Sequence, residues 1–557
     1  MMSRPLPVGI KNFEKMIKEG YYYIDKTLFI KELLDKKAEV NLFIRPRRFG
    51  KSLNISMLQY FFDNTLKEKA FLFDGLKIMD CGETYRAEMN RYPVIKLTLK
   101  AADQINFESS FKKLKEEITR EFDRHRYLLK SETIDEEKKE LYQNILSGKA
   151  EDDVYSSSLR FLSECLERYY KSKVIVLIDE YDVPLEKAYF LGYYNEMMIF
   201  LRSLFNIGLK TNDSLHFAVM TGCLRVSKES IFTGFNNPKI ISITSGSYGE
   251  YFGFTEEEVL NALDFYQYGY KKEEARDWYN GYVFGNVNVY NPWSIISYLD
   301  DLCSGNVRYP KPYWSNTSSN SIIRELIEIA DDIAKEEIEA LIRGESITKP
   351  VHDDIIYSEI KQNADNLWNF LFFTGYLKKT GEKTEDEITY FEMKIPNKEA
   401  VYIYKRKIKE WFEEKTKITN TDIILKAITE KDAEALSEEL NKRLSDIISF
   451  YDTKEAFYHG FLLGILSNIQ GYLIKSNRES GNGRSDIYMK DKGIRKRGIV
   501  FELKIVGDKD DPEEKCREAL AQIETKKYAY ELEEEGYRNV LRYGIAFRGK
   551  ECMVMAK

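Results

Sequence analysis

The sequence predicts an α/β protein with two chemically distinct parts, and three observations carry that reading. Leu42-Phe43-Ile44 is an apolar strand that runs into Arg45-Pro46-Arg47-Arg48-Phe49-Gly50-Lys51-Ser52, a loop ending Gly-Lys-Ser that opens an apolar-periodic helix. Lys173 to Ile178 is a second apolar run, suited to a strand buried on both faces, and it ends in Asp179-Glu180. Far downstream, Asp486 on one short strand and Glu502 with Lys504 on the next bring two carboxylates and an ammonium together.

The first element has the layout of a phosphate-binding P-loop. Backbone N–H groups from Arg48, Phe49, Gly50, Lys51, Ser52 and Leu53 are expected to cradle the phosphates of ATP. The Lys51 ammonium reaches the outer phosphates, the Ser52 hydroxyl holds Mg²⁺, and Gly50 is expected where a Cβ would collide. Arg45 stands where the pattern GxxxxGK[ST] has its first Gly, so the loop needs support from elsewhere. The acidic strand end supplies it. Asp179 is placed to bind Mg²⁺ through water and Glu180 to orient the hydrolytic water. Thr221, at the end of the predicted strand Leu215 to Gly222, is placed to sense the γ-phosphate, and Arg225 beyond it either touches phosphate or faces solvent. The competing reading, a helix cap and an unrelated strand end, leaves both coincidences unexplained.

In the C-terminal third, Gly483 to Met489 and Ile499 to Ile505 read as strands joined by a basic turn. Residues two apart on a strand share a face, so Glu502 and Lys504 point the same way and a hairpin-like return brings Asp486 beside them. Hard oxygen ligands suit Mg²⁺, and a Lys beside them can position water for attack on a phosphodiester. Val500, Phe501, Leu503 and Ile505 surround the two charges, and an apolar strand carries charges where they are paired or functional.

These residues resemble the PD-(D/E)XK nuclease superfamily, with Asp486 as the first acid, Glu502 and Lys504 as the remainder, and Gln522 and Tyr528 on the following helix. Together with the N-terminal half, the chain is similar to bacterial AAA-ATPase-like proteins that carry a C-terminal PD-(D/E)XK domain. The shared marks are Tyr23 to Thr27, Arg45 to Ser52, Asp179 to Asp182, Thr221-Gly222 and Gly481 to Asp486 with Glu502 and Lys504. Arg at the first P-loop position is usual in that family. The resemblance implies an ATPase domain fused to a nuclease domain. With the coarse element pattern it gives an AAA-like P-loop NTPase domain over residues 1–250, a helical lid over 251–350, a winged-helix-like linker over 351–415 and a restriction-endonuclease-like α/β domain over 416–557.

The remaining features set bounds. A chain of 557 residues with 43% hydrophobic content can hold several cored domains. No apolar stretch approaches a membrane span and no signal-peptide order opens the chain, so the expectation is a cytoplasmic protein. Six cysteines without CxxC spacing suggest neither zinc nor disulfides, and are expected to be buried or partly buried thiols. Net charge −7 confines any DNA or RNA contact to local patches, with Lys405 to Lys409 and Lys490 to Arg497 as candidates or as ordinary solvated faces. The aromatic turns Asp277 to Tyr282 and Tyr290 to Ser294 read as packing between lid and core in preference to base stacking. His125, His216 and His352 read as structural, whereas Glu455 and His459 share a face of a helix predicted over about 454–474, where Glu455 either adds an acid to the metal site or the two are a solvated helical pair or a core-satisfied histidine. Two functions remain open: an ATPase that controls a Mg²⁺-dependent nuclease, with action against foreign DNA as one role, or a non-cleaving nucleotide switch or scaffold. Oligomeric state is not legible.

Overall fold

Every residue of β1 (Val40–Ile44) and of β3 (Val174–Asp179) is buried, as parallel strands covered on both faces must be. They belong to a five-stranded sheet with β2 (Val94–Thr98), β4 (Leu215–Gly222) and β5 (Pro238–Ile241), in the order β2-β3-β4-β1-β5. All its pairings are parallel, so every strand ends at the same edge. This computed structural model describes residues 4–224, 237–305, 309–316, 332–351, 364–418, 421–445, 455–467, 469–480, 483–493, 497–507, 509–537 and 539–557. It divides into two units, Met1–Ser319 with Gly344–Ile403, and Asn320–Arg343 with Tyr404–Lys557.

In the first unit, α1 (Phe13–Lys18) and α2 (Leu28–Lys36) precede β1, and α3 (Lys51–Phe62) follows it. The single turn α4 (Glu83–Arg86) leads toward β2. Then come α5 (Phe107–Arg124), α6 (Glu136–Ser147) and α7 (Asp152–Tyr170), the helical insertion expected from its charge pattern. Asn106 and Asp135 start the first two by accepting from the backbone N–H of Ser109 and Lys138. Helices α8 (Val183–Leu191) and α9 (Tyr194–Phe205) connect β3 to β4. His125 is fully buried with Nε2 3.2 Å from the Val94 carbonyl, and His216 stacks on Tyr92 at 4.5 Å. Both are structural; His352 lies outside the described residues.

The segment expected to be helical from 251 onward does contain helices, α10 (Glu256–Phe265), α11 (Lys272–Tyr279) and α12 (Pro292–Cys303). Thr255 and Glu258 close a capping box at the start of α10. The segment also holds a small antiparallel sheet, β6 (Phe254–Thr255), β8 (Val287–Tyr290) and β7 (Tyr282–Phe284) in that order, so it is not a purely helical lid. Strands this short carry too few alternations to be read from sequence. Gly285 makes the hairpin possible: its φ is +59°, and a Cβ there would lie 2.4 Å from the Ser245 carbonyl.

Still in the first unit, β9 (Ile347–Pro350), the helix Ala364–Phe373, β10 (Lys378–Glu385) and β11 (Ile388–Lys394) make a helix and a three-stranded antiparallel sheet, ordered β10-β11-β9. This module packs on the P-loop body. A Cβ added at Gly375 would sit 3.0 Å from Pro46, and one at Gly281 would sit 2.2 Å from the Pro396 carbonyl.

The second unit contains a five-stranded mixed sheet, β12 (Tyr472–Ser480), β13 (Gly483–Asp491), β14 (Arg497–Ile505), β15 (Asn539–Arg548) and β16 (Glu551–Ala556), in sequence order. Only β14 and β15 pair in parallel, and the crossover between them carries the helix Pro512–Thr525. The helix predicted over about 454–474 is Glu455–Ser467; the chain turns at Gly471, with φ +86°, and continues as β12. Tyr458 on that helix stacks on Phe547 at 4.5 Å, which makes it core and not cleft. The side chain of Glu455 lies outside the described residues.

One buried carboxyl joins three parts of the first unit. Glu399 is fully buried and accepts from the Trp314 N–H at 2.8 Å and from the Ser294 hydroxyl at 2.8 Å. Burial pushes its pKa up to about 8. Between the ordinary Glu value and about 8 the folded chain holds a proton that the unfolded chain has released, so this group's contribution to stability falls as pH rises through that window. Thermal unfolding at pH 6 and pH 9 should therefore show a smaller loss of Tm for Glu399→Gln than for the parent. An unchanged pH dependence contradicts a protonated Glu399.

Candidate functional site: nucleotide cleft and acidic strand pair

Because the central sheet is parallel, the carboxyl ends of its strands gather several potential ligand-binding groups at one edge. The loop after β1 contains two left-handed residues, Arg48 with φ +71° and Gly50 with φ +80°, which curl it before α3 begins at Lys51. Such alternation turns successive N–H groups toward a common point. The expected collision at Gly50 is not there: a Cβ would meet nothing within 4 Å, and glycine is required by φ alone.

Lys51 is buried, and its ammonium donates to the carbonyls of Arg45 and Pro46, both at 2.8 Å, and to Cys223 Sγ at 3.2 Å. Phe49 is buried edge-on to Tyr282 at 4.9 Å, so its backbone and not its ring serves the loop. Arg45 has a structural task. Its guanidinium is fully buried between the rings of Phe252 and Phe284, 5.2 and 5.1 Å away, and donates to the carbonyls of Ile44 and Ile241, each at 2.9 Å. Desolvation lowers its pKa to about 9. Arg45 thus pins the loop to the edge strand β5.

Asp179 ends β3 and Thr221 lies near the end of β4; the Thr221 hydroxyl donates to Asp179 Oδ1 at 2.6 Å, with both residues buried. Glu180 is partly exposed and sits at φ +57°, a left-handed conformation costly for a residue with a Cβ. Asp182 is buried and accepts from the backbone N–H of Cys223 at 2.7 Å and of Leu224 at 2.9 Å, fixing the exit from β4. Arg225 lies outside the described residues.

A cavity of about 270 Å³ runs along this edge and is lined by Arg48, Phe49, Gly50, Lys51, Ser52, Leu53 and Glu180. Its apolar wall includes Tyr22, Ile24, Phe254 and Trp293. The Arg48 guanidinium lies over the Trp293 ring at 4.2 Å, so one of the aromatic turns read as packing also faces the cleft. The Tyr23 to Thr27 segment clamps it from behind: Lys26 donates to both Glu258 oxygens at 2.6 Å, and Asp25 accepts from the Thr27 N–H and, through its other oxygen, from the Lys77 N–H. Ser52 and Asp179 offer hard oxygens, the donor type Mg²⁺ takes.

In the second unit, Glu502 is buried on β14 and accepts from Gln522 Nε2. Lys504 Nζ stands 3.5 Å from Glu502 Oε1 and donates to Gln522 Oε1 at 2.6 Å, while Gln522 Nε2 also lies 3.3 Å from the Tyr528 hydroxyl. Four of the residues singled out from the sequence are thus in one network. Asp486 is on β13, directly before Ile487, which pairs with Phe501, the neighbour of Glu502. Its side chain lies outside the described residues. Among the described residues no three His, Cys, Asp or Glu side chains form a metal cluster. Gly544 pairs with Glu502, and a Cβ there would lie 2.4 Å from the Cys516 carbonyl, so this glycine sets how closely the Pro512–Thr525 helix, and Gln522 on it, approach the sheet.

Of the two basic patches, the one at Arg406 and Lys407 lies on a solvated helix face, whereas Lys490 departs from that reading. Lys490 is buried and paired with Glu535 at 2.7 Å, and Arg406 and Lys407 both meet Glu410, at 2.8 and 2.6 Å. Arg495 and Lys496 lie outside the described residues. The cysteines are all free thiols, and Cys303 is exposed where burial was expected.

Residues 7–232 match the family model of a predicted AAA-ATPase, and residues 453–557 match that of the PD-(D/E)XK nuclease superfamily. The chain carries both domains. A relative from Azotobacter chroococcum mcd 1, described as an uncharacterized protein in the vnfD 5′ region, is 29% identical over 333 residues, which is 59% of this chain and 57% of the relative. The match therefore spans little more than half of that protein. A solved Walker-type ATPase of Pyrococcus abyssi is 16% identical, with a TM-score of 0.35, over 69% of this chain and 96% of its own. The parallel sheet fits a P-loop NTPase, and the two domains point to ATPase-like and nuclease-like functions. No described helix is long and apolar enough to cross a membrane.

The two glycines give a test. Gly50→Ala should cost about 1–2 kcal/mol, the penalty of a left-handed residue with a Cβ. Gly544→Ala should cost more and should loosen Gln522 from Glu502, because backbone and not a side chain blocks the space. Urea unfolding of the two variants measures the order, and equal costs would contradict it.

Proposed function

We propose that this chain binds and hydrolyses ATP with Mg²⁺ and that its nucleotide state governs a Mg²⁺-dependent PD-(D/E)XK nuclease acting on nucleic acid, in the cytoplasm. The observation that best supports the ATPase half is the Thr221 to Asp179 hydrogen bond at the strand ends beside the P-loop, since it orients an acidic side chain of the kind such a reaction uses. In this reading, Arg48 to Leu53 cradle the phosphates, Lys51 neutralises the outer ones, and Ser52 and Asp179 hold Mg²⁺, which offsets the charge that develops on phosphoryl transfer. Glu180 orients the attacking water. In the nuclease half, Asp486 and Glu502 hold Mg²⁺ and Lys504, steadied by Gln522, positions water and stabilises the developing charge. Clearing foreign DNA is a role this coupling suits. The second reading, a nucleotide-dependent switch that binds without cutting, draws support from Lys490 and Arg406, which are each paired with a carboxylate and so less available to a nucleic acid.

Lys51→Ala should abolish tight ATP binding in a folded protein, measured by equilibrium titration, whereas Glu180→Gln should bind ATP and turn it over slowly. Normal affinity in the first or normal turnover in the second removes that residue from the scheme. Plasmid cleavage with Mg²⁺ or Mn²⁺, with and without ATP, tests the nuclease. Asp486→Ala and Glu502→Ala should eliminate cleavage, while Lys504→Ala should keep metal binding and lose about 10²- to 10³-fold in rate. A parent protein that cuts neither DNA nor RNA in any nucleotide state moves the switch reading to first place.

A further inference from the structure

Besides Lys26, which is paired with Glu258, the cleft is lined by two further lysines outside the P-loop. Lys11 lies just before α1 and Lys100 just after β2; both line the same cavity as Arg48, Lys51 and Glu180, although they are far apart in sequence. Their side chains meet, and Lys11 also feels the charges of Glu180 and Arg48. Two ammonium groups in contact repel. Burial and the neighbouring Lys100 together lower the Lys11 pKa, with Glu180 opposing. Asp103 also lines the cavity and is paired with Lys187 at 3.0 Å. An anion seated between the two lysines would turn the repulsion into two charge-assisted bonds.

The position of the pair narrows the choice of anion. Lys100 extends from the carboxyl end of β2, next to β3, which carries Asp179 and Glu180, while the P-loop approaches from β1 on the far side of β4. A phosphate chain entering over Gly50 and Lys51 and running toward Glu180 leads its outermost phosphate to the lysines. We propose that Lys11 and Lys100 bind the terminal phosphate of a nucleoside triphosphate, so that the cleft distinguishes ATP from ADP by a cation pair supplied within the same chain. This rests on the nucleotide-binding reading above. A diphosphate ends short of the pair and leaves the lysines facing one another, so the discrimination follows from charge.

The experiment is equilibrium titration of the full-length chain with ATP and with ADP, each with Mg²⁺, for the parent, Lys11→Gln, Lys100→Gln, the double variant and Lys11→Arg with Lys100→Arg. The double Gln variant is expected to lose at least tenfold in ATP affinity while ADP affinity stays within about twofold, and the double Arg variant to recover most of the ATP preference. Equal loss for both nucleotides, or unchanged ATP affinity, overturns the inference while leaving the P-loop reading intact. A parent that binds neither nucleotide overturns both. Circular dichroism of each variant confirms that affinities are compared between folded proteins.

Discussion

A parallel strand covered on both faces has room for chemistry only where it ends, and the first unit is organised around that constraint. The loop at Lys51, the acid at Asp179, the hydroxyl at Thr221 and the cation at Lys100 come from four different strands. They share an edge because the strands share a direction. The order β2-β3-β4-β1-β5 matters as much, since it inserts β4 between the loop strand and the acid strand and brings Thr221 to Asp179. The buried anchors serve the same end: Phe49 against Tyr282, Arg45 between two aromatic rings, and Asp182 under the turn at Cys223 hold loops that have little regular structure of their own.

Much of this was legible in the residues. The apolar runs Leu42 to Ile44, Val174 to Ile178 and Phe217 to Met220 mark strand cores, and strands fall where the pattern puts them. Local chemistry was legible too, as in the Thr255 and Glu258 capping box. The short strands β6, β7 and β8 were not, because two to four residues cannot display a period. Strand β12 was missed because Tyr472 to Ser480 lies at the edge of its sheet and is mostly polar beyond Ile474. Gly50 shows a subtler failure. The residue was expected for the right position and the wrong reason, since sequence alone does not separate a demand on φ from a demand on space.

Pairings between distant residues were the other hidden layer. Nothing in the run around Lys490 announces Glu535, and a cluster of basic residues looks the same in sequence whether its charges face water or a carboxylate. The same holds for Arg45, whose surroundings come from Ile241, Phe252 and Phe284, three points that only the fold brings to one place. In the second unit the reverse occurred: Glu502 and Lys504 were named from their spacing and Gln522 and Tyr528 from the family resemblance, and the four do meet, with Gln522 on the helix that crosses back over the sheet and Tyr528, expected on that helix, in the turn just past its end at Thr525.

The bonds that Lys51 makes within its own loop have a thermodynamic consequence. Its ammonium already has two carbonyl acceptors at 2.8 Å, so a phosphate that takes it over replaces existing charge-assisted bonds and does not gain them outright. The affinity contributed by this residue is therefore the difference between two sets of partners. The compensation lies in entropy: a loop held by Arg45 and Phe49, with its lysine already fixed, loses little conformational freedom when a ligand arrives. Such a loop trades strength of grip for readiness.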